Sequence, residues 1–490
     1  MPKESAEINP AGIQLIKESG IPLYVQVYKA FRKMITTRRL RPGDRLPASR
    51  NLSAELGVSR VIISQAFEQL IMEGYLIGKT GSGTFVADVL PDELLHVTRA
   101  AGSKQQVKPL RDNKPVQTIQ NDSIIPFMIG TPSLDSFPYK IWYNTANNVL
   151  KNLKKYHLGY DDTLGYWPLR KAIASYLRIS RAVNCEPEQV VVVTGSQQGL
   201  NLVTTCLLKK NDKVWIEDPG YFGAKDAFTN ADVNICPVPV EEDGLNIDYA
   251  IKKFPAAKLA YVTPSHQFPL GCTLSQSKRL QLLEYAQQNK LWIFEDDYDS
   301  EFRYEGSPLP SLQGLDNHGR VIYSGTFSKV LFPALRLAYL VLPSIEMVNQ
   351  FSVVKEHTDR QSPIMEQAIL CRFIEDGYFL RHIRKMRLLY AERQQVLIQL
   401  INDHASEYLQ PIIAPSGMHL LCRLNDNIDV TKLRQEIKKK KIAVSFTSDF
   451  AINSTGAAML LGYTAFSKYK LKTGVEHLIN AIKASLKEPG

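Results

Sequence analysis

The 490-residue sequence predicts a multidomain chain, a small α+β unit of helices and one hairpin followed by a large α/β domain. Three observations predict it. Basic residues crowd into the first ninety positions. A polar stretch broken by Pro91, Gly102, Pro109 and Pro115 follows. Beyond it, short apolar runs alternate with amphipathic helical stretches, the pattern of a mainly parallel sheet. The expected boundaries are residues 1–88 for the small unit, 89–122 for a linker and 123–490 for the large domain.

Composition narrows the function classes. With 44% hydrophobic and 22% charged residues, general disorder is excluded. Met1–Asn9 is polar, without the apolar core of a secretory signal, and no run approaches the roughly 20 apolar residues of a membrane span. The six cysteines stand singly and the histidines are dispersed, so reduced thiols in a cytoplasm and no metal site are expected. The formal net charge is +10. Met1–Val86 holds 12 Lys and Arg against 7 Asp and Glu, a net of +5, so about a sixth of the chain carries half the excess. Arg32, Lys33, Arg38, Arg39, Arg41, Arg45 and Arg50 are opposed only by Asp44 within that stretch, a density suited to a polyanion. Lys438–Lys441 has no such company and reads as solvated surface.

Element by element, Tyr24 to Thr37 has apolar residues at helical spacing. Arg41-Pro42-Gly43-Asp44 breaks the chain, and Ser49 is placed to cap a short helix ending at Leu56. Gly57-Val58 turns, and Ser59 is placed to cap a third helix. Its stripe Ile63, Ala66, Phe67, Leu70 and Ile71 is expected to be buried, while Arg60, Ser64 and Gln65 form an opposite polar face. Such a helix after a Gly turn suits the major groove of double-stranded DNA. Tyr75–Ile77 and Thr84–Val86, joined through Lys79, Gly81 and Gly83, form a hairpin whose amides and lysine suit phosphates. The unit therefore reads as a winged helix-turn-helix.

The words Gly43-Asp44-Arg45-Leu46-Pro47-Ala48-Ser49-Arg50, Leu56-Gly57-Val58-Ser59-Arg60 and Glu73-Gly74-Tyr75 with Gly81–Val86 resemble the GntR-type winged helix-turn-helix family. The resemblance implies DNA contacts from Arg50, Ser59 and Arg60, with the wing at Gly81–Thr84; Ser64, Gln65 and Lys79 join them from the residue reading.

In the large domain, strands are expected at Val190–Val193, Lys213–Ile216, Leu259–Val262, Leu291–Glu295 and Arg320–Tyr323, and a helix at Ser275–Asn289. Several turns between them suit a phosphorylated pyridine aldehyde. Lys329 has an amine that can condense with the aldehyde, and Thr326, Ser328 and Arg336 can hold a phosphate. Thr194–Gly199 leads from a strand into a helix, so the amides of Ser196 and Gln197 form an anion site. Glu295, Asp296, Asp297 and Asp299 end a strand with carboxylates, one of which can face a protonated ring nitrogen; spacing does not say which. Tyr298 can reach the ring hydroxyl, and Tyr221 can stack on the ring. A lone lysine after a strand is ordinarily a surface residue, and only the company around Lys329 argues otherwise.

Together, Val262–Pro269, Glu295–Tyr304 and Gly325–Arg336 resemble class I/II aminotransferases of fold type I. Joined to the N-terminal unit, they resemble the MocR subfamily of GntR regulators. The resemblance implies pyridoxal 5′-phosphate as cofactor and a smaller C-terminal α+β subdomain. It also implies a homodimer in which Tyr160 reaches the neighbouring cofactor. Lys329 would be the Schiff-base lysine, Asp296 the ring-nitrogen partner, Tyr298 the O3′ partner and Tyr221 the stacking ring. Two departures stand out. Phe268 occupies the place of an asparagine in catalytic relatives, and Leu460 the place of an arginine that holds the substrate α-carboxylate. The expectation is a regulator that senses an amine, an amino acid or pyridoxal phosphate. The alternative is an active aminotransferase with an appended DNA-binding module, and a residual half-reaction is compatible with either.

Overall fold

In the computed structural model the described residues are 13, 15–16, 19–79, 81–90, 125–306, 309–453 and 456–487. The chain divides into two compact units, Met1–Thr118 and Ile119–Gly490. Most of the expected linker, from residue 91 on, lies outside the described residues.

The first unit has helices α1 (Leu23–Thr36), α2 (Ser49–Leu56) and α3 (Arg60–Met72), then strands β1 (Leu76–Lys79) and β2 (Gly83–Val86) paired antiparallel. Its core is Val27, Phe31 and Ile35 of α1 against Ile63, Ala66, Phe67 and Leu70 of α3, with Phe31 and Phe67 edge to face at 5.2 Å. Gly57 ends α2 in the left-handed conformation (φ 61°), which lets α3 follow at once. Two expectations are corrected. Ser49 is the first residue of α2 and not its cap; the cap position is Ala48, and the Ser49 hydroxyl accepts from Arg60 Nε at 3.3 Å instead. Ser59 does hold the cap position of α3 but makes no side-chain capping bond. Ile71, in the last turn of α3, is 40% exposed; the core side of that turn is taken by Leu70, and Ile71 lies beside Gly78 of the hairpin.

The second unit is built on an eight-stranded sheet in the order β3-β10-β9-β8-β7-β4-β5-β6. Its strands are β3 (Val190–Val193), β4 (Lys213–Asp218), β5 (Asn234–Glu241), β6 (Gly244–Leu245), β7 (Leu259–Val262), β8 (Trp292–Asp297), β9 (Val321–Thr326) and β10 (Ala338–Val341). Pairings from β9 through β5 are parallel, whereas β10 runs antiparallel to both β3 and β9, and β6 folds back on β5. β7, inside the sheet, is apolar and buried on both faces, as a sheet covered on both sides requires. Toward the C-terminus, β11 (Leu409–Ile412), β12 (His419–Leu424), β13 (Ser445–Phe446) and β14 (Ala458–Gly462) form a four-stranded antiparallel sheet in the order β11-β12-β14-β13, the smaller α+β part. Among the described residues no helix is long and apolar enough to cross a membrane.

Candidate functional site

The carboxyl ends of the parallel strands and the turns that follow them open onto a cavity of about 450 Å³. This is where open α/β sheets bind ligands. Its walls include Ser196, Gln197, Tyr221, Asp296, Tyr298, Thr326, Ser328, Lys329 and Arg336, so every cofactor-site residue expected from the sequence comes to one place.

Lys329 follows β9, and its Nζ donates to the Gly130 carbonyl at 2.9 Å. Gly130 has φ 67°, and a Cβ there would stand 2.7 Å from that Nζ, so a side chain would push the lysine aside. Burial lowers the Lys329 pKa against the opposing pull of Asp299 and Asp296, which favours the neutral, nucleophilic amine.

The carboxylates expected to follow the strand end lie within it: β8 runs on through Glu295, Asp296 and Asp297, and all three are buried. Alternation along the strand divides their work. Glu295 accepts from the backbone amides of Leu312 and Gln313, both at 2.9 Å, the first two of the helix Leu312–Leu315 that Ser311 caps. Asp297 is held by Arg181 Nε at 2.7 Å and the Tyr323 hydroxyl at 2.5 Å. Asp296 alone of the three lines the cavity. Its Oδ2 accepts from the Tyr261 hydroxyl at 2.7 Å, and its Oδ1 is buried without a partner. Burial pushes its pKa up to about 6, with the Tyr261 bond pulling the other way.

The Ser328 hydroxyl is likewise buried on the cavity wall without a partner. The helix Ser196–Leu207 begins at this wall, and the Arg336 guanidinium lies against Gly195, 3.2 Å from where a Cβ would stand. Helix amides, two hydroxyls and a guanidinium thus converge on one end of the cavity, a donor set for a phosphate. Across from it, an unpartnered carboxylate oxygen can accept from a protonated ring nitrogen. A phosphorylated pyridine therefore fits the residues present. Tyr221 precedes the helix Phe222–Asn230, and its phenol is pushed up to about 12 by burial, so it stays neutral. Tyr298 is held neutral by burial in the same way, and its hydroxyl lies 3.0 Å from His266 Nδ1, which also lies 3.0 Å from Asp299 Oδ2.

Sequence reasoning missed several lining residues. Tyr261 and Thr263 had a signal, since alternation along β7 puts them on one face. Gly130 and His419 had none, because they come from segments remote in sequence from the cofactor words. Leu460 lies on β14, opposite Leu421 of β12, and is fully buried. Tyr160 is 80% exposed, packs under Arg360 at 4.3 Å and does not line this chain's cavity.

In the first unit Arg50, Ser59, Arg60 and Gln65 are exposed and Ser64 is half-buried. The hairpin carries Lys79, Gly81, Gly83 and Thr84 beside them across a groove lined by Ser49, Ser64, Gly83 and Thr84. Lys79 is exposed with its ammonium over the Phe85 ring at 5.2 Å. Arg45, which the sequence marked only as part of a basic run, bridges to Phe85 of β2 and packs under Gly83, tying the turn before α2 to the wing.

Comparison with known proteins follows the two units. Residues 125–457 match aminotransferase class I and II, and residues 23–86 match the bacterial regulatory proteins of the gntR family. The chain is 35% identical over 474 residues to the probable rhizopine catabolism regulatory protein MocR of Rhizobium meliloti, covering 96% of each. It is 30% identical over 430 residues to the HTH-type pyridoxine biosynthesis transcriptional regulator PdxR of Corynebacterium glutamicum, covering 86% of this chain and 88% of that protein. Among solved structures, kynurenine aminotransferase of Pyrococcus horikoshii, crystallised with PMP, superposes with a TM-score of 0.69 at 26% identity, covering 80% of this chain and 98% of that one. LysN, the α-aminoadipate aminotransferase of Thermus thermophilus, does so with a TM-score of 0.67 at 27% identity, covering 73% and 91%.

Proposed function

This chain is a MocR-type member of the GntR family of transcription regulators, a winged helix-turn-helix joined to a class I and II aminotransferase domain, and on that premise we propose that it binds pyridoxal 5′-phosphate at Lys329 and uses the cavity to sense a small amine-bearing effector. The observation that carries the proposal is the meeting, on one cavity, of Lys329 with the unpartnered buried atoms Asp296 Oδ1 and Ser328 Oγ.

Pyridoxal phosphate, when bound, supplies an aldehyde for reversible condensation with a primary amine and a ring that withdraws electrons. Ser196, Gln197, Thr326, Ser328 and Arg336 hold its phosphate. Asp296 would accept from the ring nitrogen, Tyr298 would donate to the ring hydroxyl and Tyr221 would cover the ring face. Gly130 keeps the Lys329 amine aimed into the cavity. An effector amine able to take the place of Lys329 would free that side chain, and the domain equilibrium would move by as much as the effector's affinities for the two states differ. In the first unit Arg60, Ser64 and Gln65 read bases, while Arg50, Ser59, Lys79 and the wing around Gly81, Gly83 and Thr84 sit on phosphates. The working form is a cytoplasmic homodimer on a double-stranded operator, since paired heads read paired half-sites.

The test has two arms. The full-length protein incubated with pyridoxal phosphate acquires a visible absorption band that Lys329→Ala loses. Genomic fragments retained by the same preparation share a sequence, and Arg60→Ala abolishes the selection. A band that survives in Lys329→Ala, or retention without any shared sequence, overturns the corresponding half. Steady turnover of amino and keto acids would favour an enzyme over a sensor.

A further inference from the structure

We infer that the effector is a primary amine with an apolar, aromatic-sized body and no carboxylate. This rests on the cofactor reading above and names the ligand class of the same cavity.

The charges on the wall are already assigned. Among the described lining residues the cationic side chains are Lys329 and Arg336. Arg336 lies against Gly195 at the phosphate end. Lys329 is the anchor the effector displaces. His419 also lines the cavity, but its Nε2 faces the Pro269 carbonyl at 2.9 Å, so its proton is engaged there. Burial, with His266 beside it, lowers its pKa to about 4 and leaves it neutral at pH 7. A carboxylate entering this space would give up its hydration, gain no free counter-charge from this chain's described lining and share the cavity with the Asp296 carboxylate.

The rest of the wall is built for an apolar body. Ile129, Phe222, Phe268, Pro333 and Met418 line it. Phe268 sits at the centre of an aromatic box, edge-on to Tyr221 and Tyr298 at 6.2 Å each, to His419 at 5.8 Å and to Phe450 at 4.9 Å. Rings in this arrangement present edges and faces to another ring. The sheet behind continues the pattern. Leu460 pairs with Leu421, and Gly462 with His419, so Leu460 lies on the sheet face that carries His419, fully buried beneath the cavity lining and without adding a charge to it.

The experiment uses the full chain loaded with pyridoxal phosphate and a matched pair of probes, 2-phenylethylamine and L-phenylalanine, which differ only in the α-carboxylate. Each is titrated while the visible band is followed, with calorimetry as a second readout. The amine is expected to half-saturate at a concentration at least about 10-fold lower than the amino acid, the factor that about 1.4 kcal/mol produces. Phe268→Ala is expected to raise the half-saturation of 2-phenylethylamine about 10-fold and that of ethylamine by less than about 3-fold, since only the larger body reaches the ring. A protein that takes up pyridoxal phosphate on Lys329 but responds equally to both probes, better to the amino acid, or to neither, overturns this inference and leaves the cofactor reading standing. Failure to take up pyridoxal phosphate overturns both. Equal losses for the two amines in Phe268→Ala overturn the aromatic part alone.

Discussion

Asp296 lines the cavity with one oxygen engaged by Tyr261 and the other buried without a partner, while its neighbour Asp297 lies off the cavity with Oδ2 held by Arg181 and Tyr323. Adjacent acids with opposite surroundings make opposite predictions. Asp296→Asn leaves the fold intact and weakens pyridoxal phosphate binding about 10- to 100-fold, the worth of one hydrogen bond between charged groups at ~1.5–3 kcal/mol. Asp297→Ala strands a buried guanidinium and costs about 3–5 kcal/mol of stability. Equilibrium dialysis with the cofactor and urea unfolding of the full chain separate the two; a cofactor defect in Asp297→Ala without loss of stability would contradict the assignment. The sign of the pH dependence follows from the same residue. Because its pKa in the folded chain is raised to about 6, Asp296 is a carboxylate at pH 7 and takes up a proton as pH falls through 6. Cofactor affinity is therefore flat above about pH 7 and declines below about pH 6, and Asp296→Asn removes that decline. The sequence offered these acids as a cluster with one ring-nitrogen partner, Asp296 by resemblance alone, and spacing did not divide the rest. The division is set by alternation across a covered strand and by partners such as Arg181, remote in sequence.

Among the strands, the apolar centres were legible and the ends were not. Val190–Val193 and Leu259–Val262 coincide with their expected ranges, but β4, β8 and β9 each run two or three residues beyond theirs. A polar residue marks a strand end only when water must satisfy it. In β8 and β9 backbone amides and side chains do so for Glu295, Asp297 and Thr326, which lie inside, while the buried Ser324 hydroxyl has no partner. The same gap between pattern and environment appears in α3, whose Ile71 fits the helical stripe but faces the hairpin. The face proposed to read bases, Arg60 with Gln65, is exposed at the start of α3 after the Gly57 turn. For these elements the expected outcome is two kinds of loss. Arg60→Ala costs about 1–3 kcal/mol on the preferred site and little on random DNA, whereas Lys79→Ala weakens both about equally and reduces the slope of log affinity against log salt by about 1. Fluorescence anisotropy on two duplexes across a salt series reads both; an Arg60→Ala loss of equal size on random DNA would move that residue to the phosphate contacts.

For the molecule as a whole, the two-part organisation was legible because composition changes along the chain: basic and compact first, then polar with prolines, then alternating strand and helix. The cavity was legible only as separate words, since the hydrocarbon of Phe222 and Met418, the backbone of Gly130 and the neutral His419 reach it from segments far apart in the chain. If the cavity and the winged unit are linked as proposed, the linkage is a single free energy seen from both ends. An effector that changes operator affinity by a factor between about 5 and 150, a coupling of ~1–3 kcal/mol, must have its own affinity changed by that same factor when operator is bound. The measurement is a pair of titrations on one preparation: effector into the cofactor-loaded protein with and without saturating operator, and operator with and without saturating effector. Equal factors establish a sensor whose two units share one equilibrium. A cavity that answers identically with and without DNA, while operator binding still changes with effector, breaks the cycle. The change in operator binding would then have to come from effector bound somewhere other than at Lys329. Lys329→Ala decides that case, because it removes the coupling only if the cavity carries it.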